Sequence, residues 1–177
     1  MNCRISFETR QAAEGVALVA VNTRGVCGIY LGEAPAKLVA ELRIDFPAYD
    51  LEPIMSAQQE IVARVFARIQ NSLEHFDFPL DIRGGDFEQM IWAAIRSCPP
   101  GETLTPAAIA QSIGASPEAA ASVTEVCRRN KLAIAIPCHR VVASDGALSI
   151  CRWGESIQRA LLARERVFPL IGRNSGR

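Results

Sequence analysis

Nine residues constrain this chain more than any others: Ile134-Ala-Ile-Pro-Cys-His-Arg-Val-Val142. A short apolar run feeds into Pro137, then come a cysteine, a histidine and an arginine, then two valines. A thiol beside an imidazole and a guanidinium is a candidate activated nucleophile, because nearby positive charge favours thiolate over thiol. The same residues admit a plainer reading. Neighbouring side chains often point apart, and buried cysteines are commonly inert packing.

The rest of the composition narrows the class. At 177 residues, 49% of them apolar, the chain can hold one ordinary domain or two small lobes around a real core. No apolar run reaches the roughly 18 residues a membrane helix needs, and Met1 to Phe7 lack the apolar stretch of a signal peptide. A cytoplasmic protein away from membranes is expected. The six cysteines, Cys3, Cys27, Cys98, Cys127, Cys138 and Cys151, form no Cys-x-x-Cys pair, and the only histidines are His75 and His139. Unless Cys3 and Cys27 converge, no structural zinc site is expected, and most thiols should be reduced core packing. Net charge is zero, which argues against a strongly basic nucleic-acid binder. Residues 138–177 nevertheless hold seven arginines against three acids, a net of +4, leaving −4 for the first 137. Such asymmetry suits a local DNA-facing surface, and suits a solvated helix with mixed charges equally well.

Periodicity gives the elements. Arg4 to Thr9, Val16 to Val21 and Val26 to Leu31 read as strands, the last two joined by a turn at Asn22 to Gly25. Ala36 to Phe46 reads as a helix ended by Pro47, and residues 48–56 as irregular. Ala57 to Leu73 places Ile61, Val62, Val65, Phe66, Ile69 and Leu73 on one helical face. A lobe boundary is expected within 75–86, dividing a scaffold lobe (1–80) from a second lobe (81–168) and a frayed tail (169–177). The second lobe opens with a helix from Phe87 to Arg96, its apolar face made by Phe87, Met90, Ile91, Ala94 and Ile95 around Trp92. Thr105-Pro106 and Ser116-Pro117 each look like an N-cap followed by proline at the first helical position. The two short helices they start, joined through Gly114, form a helix-turn-helix candidate. Lys131 to Ile136 is strand-like, Ser144 to Gly146 a turn, and Glu155 to Val167 a helix with Ile157, Ala160, Leu161 and Arg164 in part-apolar register.

Several of these residues are collinear with one family. Asp81 to Gly84, Phe87, Ile91-Trp92, Pro99-x-Gly-Glu-Thr103, Asn130, Pro137 to Val142, Leu161-Leu162 and Glu165 resemble the methylated-DNA–protein-cysteine methyltransferases, which repair O6-alkylguanine. The resemblance covers roughly residues 1–168, and its Pro-Cys-His-Arg-Val core is specific. It implies an α+β fold of the α/β class. A small antiparallel sheet with helices, a ribonuclease H-like lobe, should precede a mainly helical, winged-helix-like lobe.

The resemblance also implies roles. Cys138 would accept the alkyl group in one SN2-like step, His139 would be the base acting through a water, and Glu165 would orient the imidazole. Asn130 would bridge the recognition helix and the active-site turn. Ala119, Ala120, Ala121 and Ser122 would approach the minor groove of double-stranded DNA, with Arg128 on a phosphate and Pro106 at the flipped nucleotide. Val141, Ser144, Cys151 and Arg152 would line the base pocket. The protein would act once, as a monomer, with no cofactor and no metal. The sequence departs from the family where an inserted arginine is replaced by Ala121, one tyrosine by Pro106, and a glycine-x-tyrosine pair by Ser149 and Cys151. Flipping a base out of a duplex costs a few kcal/mol, so duplex repair is expected to be impaired while the thiol stays competent. Two alternatives remain: a catalytically weak DNA-binding or damage-sensing protein of the same fold, and a cysteine hydrolase, for which no oxyanion-hole signature is evident.

Overall fold

The computed structural model describes residues 3–70, 76–148 and 150–165. The chain divides into two compact units, Met1–Ile82 with Lys131–Ala135, and Arg83–Asn130 with Ile136–Arg177.

The first unit is built on a four-stranded sheet: β1 (Arg4–Ala12), β2 (Gly15–Asn22), β3 (Gly25–Gly32) and β4 (Asp50–Pro53), in the order β3-β2-β1-β4. The first three strands pair antiparallel, but β4 lies parallel to β1 with Arg4 opposite Asp50. The sheet is therefore mixed, not wholly antiparallel, and residues 48–56 are not irregular throughout. Four residues ending in Pro53 carry too little alternation to announce an edge strand. Six consecutive residues are buried in β2 and six in β3. Burial on both faces explains why these strands read as continuous apolar runs. Helices α1 (Pro35–Asp45) and α2 (Gln59–Gln70) pack on the sheet, α2 through Val62, Val65, Phe66 and Ile69. Ile61 is only half-buried, and Leu73 and His75 lie outside the described residues.

The free edge of β3 is covered by two other pieces of the first unit. Val26 N–H donates to the Pro79 carbonyl at 2.9 Å, and Ile29 N–H donates to that of Lys131 at 2.8 Å. Gly25 has φ +134°, and a Cβ there would stand 2.2 Å from the Pro79 carbonyl oxygen, so the turn requires glycine. Lys131 to Ile136, expected as a strand, makes one bridge, Leu132 to Ile29, and then turns. Ile134 adopts φ 66°, a left-handed conformation that ends any extended run.

The second unit is helical: α3 (Asp86–Arg96), α4 (Pro106–Ser112), α5 (Ala120–Arg128) and α6 (Glu155–Arg164). The buried stripe of α3 is Ile91, Trp92 and Ile95, while Phe87 and Met90 are 40% and 47% exposed. The expected face was rotated, because Trp92 belongs to the stripe and is not surrounded by it. Thr105 caps α4, accepting from Ala108 N–H at 3.2 Å. Ser116 makes no cap bond: Pro117–Ala119 form a 3-10 turn before α5. Gly114, at φ 76°, makes the turn between α4 and α5. In α6 the buried side chains are Ile157, Gln158, Leu161 and Leu162, with Ala160 and Arg164 half-buried, and Val167 lies outside the described residues. Among the described residues no helix is long and apolar enough to cross a membrane.

Candidate active site

Pro137 ends the apolar run, and Cys138–Arg140 wind into a single 3-10 turn closed by Arg140 N–H to Pro137 and Val141 N–H to Cys138, at 2.9 and 3.0 Å. A 3-10 turn sets successive side chains about 120° apart. Three adjacent residues can therefore reach three different neighbourhoods, and all three side chains are buried here, Cys138 and His139 to 1% exposure. The turn is braced from both sides. Leu104 N–H donates to the Arg140 carbonyl, and Val142 N–H returns to that of Leu104, each at 2.9 Å. Gln158 Nε2, wholly buried on α6, donates to the carbonyls of His139 and Val141 at 3.1 and 2.9 Å.

The Cys138 sulfur meets Asn130, which follows the end of α5. Asn130 Nδ2 lies 3.3 Å from Cys138 Sγ and 2.9 Å from the Ile136 carbonyl. One amide thus ties the turn to the helix-turn-helix and offers its donor to the sulfur. Burial pushes the Cys138 thiol well above its ordinary value, and a hydrogen bond with the Cys127 thiol pushes it further; the Asn130 donor opposes both. The resting sulfur is a protonated thiol, so reaction requires a base.

His139 Nε2 lies 2.9 Å from Glu165 Oε1. Glu165 is 5% exposed, immediately after α6, and is not the solvent-facing helix carboxylate that its sequence context alone suggests. Arg140 holds it with two nitrogens, Nε to Oε2 at 2.9 Å and Nη2 to Oε1 at 2.8 Å, while Nη1 donates to the Cys98 carbonyl. Burial opposes the carboxylate's charge, but the donors from His139 and Arg140 prevail and hold its carboxyl at about 2. An ionised carboxylate must accept, so Nε2 carries the imidazole proton and Nδ1 is the atom that can take another. The arrangement can accept a proton near a buried thiol and stabilise the resulting imidazolium, the logic of a nucleophile–base–carboxylate triad.

The other expected residues divide. Ala121, Ser122 and Arg128 are exposed along α5, and Ala119 and Ala120 are half-buried at its start. Pro106 is buried at the first position of α4 and is not part of that exposed set. Glu118 and Glu125 are exposed with Ala121 and Ser122, so the helix presents acids as well as Arg128. Val141 and Cys151 are buried, Ser144 is exposed on its turn, and the Arg152 guanidinium lies 5.3 Å from the Trp153 ring centre. Ser149 is outside the described residues. Two functional residues escaped sequence reasoning. Gln158 is polar but falls on the stripe shared by Leu161, Leu162 and Glu165, and Arg140 was read only as a nearby charge. Among the described residues no cluster of His, Cys, Asp and Glu is placed to hold a metal ion.

Fold and site together define an α+β protein with a buried cysteine next in sequence to a histidine that is paired with a carboxylate. Residues 86–167 match the family described as 6-O-methylguanine DNA methyltransferase, DNA binding domain. The chain is 43% identical over 164 residues to the bifunctional transcriptional activator/DNA repair enzyme Ada of Escherichia coli, covering 93% of this chain and 46% of that protein. It is 39% identical over 128 residues to a methylated-DNA–protein-cysteine methyltransferase of Methanosarcina barkeri, covering 72% of this chain and 80% of the relative. Its fold superposes on Mycobacterium tuberculosis OGT in complex with DNA with a TM-score of 0.71 and 30% identity, over 91% of this chain and 92% of that one. The chain belongs to the methylated-DNA–protein-cysteine methyltransferase family. It spans about half the length of the Ada proteins it matches, 46% for both the Escherichia coli and the Salmonella typhimurium relative.

Proposed function

We propose that this chain repairs DNA by moving an alkyl group from O6 of a damaged guanine to Cys138 Sγ, once per molecule. The observation that carries the reading is the paired arrangement of Asn130 Nδ2 at 3.3 Å from Cys138 Sγ and Glu165 Oε1 at 2.9 Å from His139 Nε2. In the step, the carbon–O6 bond breaks as a carbon–sulfur bond forms. The thiol proton goes to His139 through a water, and the guanine recovers a proton on leaving. The thioether that results is a poor leaving group, so no second turnover follows. Asn130 holds the sulfur, Glu165 steadies the imidazole, and Arg140 fixes Glu165. The DNA-facing part is the α4–α5 unit with Ala119, Ala120, Ala121, Ser122 and Arg128, laid in the minor groove of a duplex whose target base is rotated out past Pro106. Val141, Ser144, Cys151 and Arg152 belong to the base pocket. We take the 81–168 lobe as the reacting one, 1–80 as scaffold, and the working form as a monomer in the cytoplasm, where six free thiols would stay reduced.

The same reading includes a deficit. Ala121 fills no gap in a base stack, and Cys151 offers no aromatic contact, each such contact being worth on the order of 1–3 kcal/mol. Transfer from O6-methylguanine in a duplex should therefore be slow relative to transfer from the free base O6-benzylguanine. The test is single-turnover transfer of label from duplex O6-methylguanine, with Cys138→Ala as control and O6-benzylguanine in parallel. Label on the protein only when Cys138 is present supports the function; duplex binding without transfer from either substrate makes this a DNA-binding protein of the same fold.

A further inference from the structure

Each carbonyl from Pro137 to Val141 meets a donor. Those of Pro137 and Cys138 accept from within the turn, from Arg140 N–H and Val141 N–H at 2.9 and 3.0 Å, and that of Arg140 accepts from Leu104 N–H at 2.9 Å. The other two, on His139 and Val141, accept from a single side chain, Gln158 Nε2, at 3.1 and 2.9 Å. A primary amide nitrogen has two hydrogens, so one glutamine serves both carbonyls.

The oxygen of the same amide is left over. Gln158 is 0% exposed, and its Oε1 has no hydrogen-bond partner among the described residues. A buried acceptor without a donor is destabilising. A methionine or leucine at position 158 would avoid that cost and would suit the buried stripe of Ile157, Leu161 and Leu162. What an apolar residue would forfeit is the pair of donors to the turn. Gln158 and Glu165 stand seven positions apart, about two helical turns, and so lie along one side of α6 and its C-terminal cap. The first bonds the main chain of His139 and the second its ring, at 2.9 Å. His139 is held at both ends from one element.

We infer that Gln158 is a positioning residue for alkyl transfer, fixing the main chain on either side of Arg140 so that the His139 imidazole stays on Glu165. Its two bonds are to main-chain oxygens, so it acts through the turn and not on the reacting atoms. The inference rests on the reading of His139 as the base and names a further residue on which that base depends.

The experiment compares the full chain with Gln158→Met, similar in length but without donors, and Gln158→Glu, similar in shape but an acceptor only when ionised. The readout is the imidazole Nε2–H proton, which resonates far downfield of backbone amides when a carboxylate holds it. The chain has two histidines, so His75→Gln identifies the His139 signal. Thermal unfolding and single-turnover transfer from O6-benzylguanine, per folded molecule, are measured on the same samples. The expected result is a downfield signal in the unsubstituted chain that is lost in both variants, with transfer slowed on the order of 10²-fold. Variants with a lower Tm but the parent's signal and the parent's rate per folded molecule would overturn the inference, since a merely structural role predicts that pattern. If the unsubstituted chain transfers nothing, the function proposed above fails, and the proton signal alone still decides whether Gln158 holds His139 on Glu165. Should neither variant fold, hydrogen exchange in the unsubstituted chain decides. The Gln158 Nε2 protons should exchange as slowly as Val141 N–H, and exchange at the rate of an exposed side-chain amide would overturn the assignment.

Discussion

Glu165 serves four donors with one carboxylate: the His139 ring, two Arg140 nitrogens, and Gly101 N–H at 3.3 Å. Its carboxyl is held at about 2, below its value of 4.5 in the absence of the fold. A folded value below the unfolded one adds stability that is complete above the unfolded value and drains away as pH falls through the folded one. That contribution, on the order of 3 kcal/mol, should be present at pH 7 and lost progressively from about 4.5 down to 2. Glu165→Gln should therefore be less stable than the parent in urea unfolding at neutral pH, and the gap should narrow on acidification. A gap that stays constant with pH would assign the loss to packing. The same variant should slow alkyl transfer by about 10²-fold, measured in a single turnover. At this scale the candidate nucleophile was legible because cysteine and histidine stand side by side in an apolar setting. Gln158 was not, since a glutamine on an amphipathic helix reads as solvent-facing until the stripe it shares with Leu161 and Leu162 is seen to be the buried one. The partnership of Arg140 with Glu165 joins residues 25 positions apart, and no local pattern announces it.

Elements were legible where a single rule governs them, and less so where two compete. Thr105 and Ser116 carry the same signature, a hydroxyl residue before proline, yet only Thr105 caps its helix. After Ser116 the chain tightens into a 3-10 turn over Pro117–Ala119, and its hydroxyl makes no cap bond. Thr105→Ala should cost about 1 kcal/mol, whereas Ser116→Ala should stay within about 0.5 kcal/mol. Thermal unfolding of the two variants side by side checks the difference, and equal losses would return a cap to Ser116. Lys131 to Ile136 shows the converse failure. Its apolar residues are strand-like in composition, but the carbonyl of Lys131 and the N–H of Ala133 are both spent on Ile29, and Ile134 then turns left-handed. Tertiary pairing, not local preference, decides such a segment.

For the molecule as a whole, the division into two units places every side chain of the candidate site in the second, and the sheet in the first. Leu18, wholly buried in β2, is a core residue of the first unit. Leu18→Ala should cost about 2–5 kcal/mol through the cavity it leaves, lowering Tm while the transfer rate per folded molecule is unchanged. A matching fall in that rate would show that the sheet does more than support. The two-part organisation was readable from the strand-rich opening and the helix-rich remainder; the return of Lys131–Ala135 to the first unit was not, because five residues carry no pattern of their own. The long reach of the site has a further consequence. Arg140 meets Cys98 across 42 positions, and His139 meets Glu165 across 26. A chain leaves the ribosome from its N-terminal end, so Cys138 and His139 emerge well before the carboxylate that pairs with the imidazole. Through that interval of synthesis His139 and Arg140 are without their shared partner, and a chain broken off before residue 165 would carry the Pro-Cys-His-Arg turn without the carboxylate that holds it.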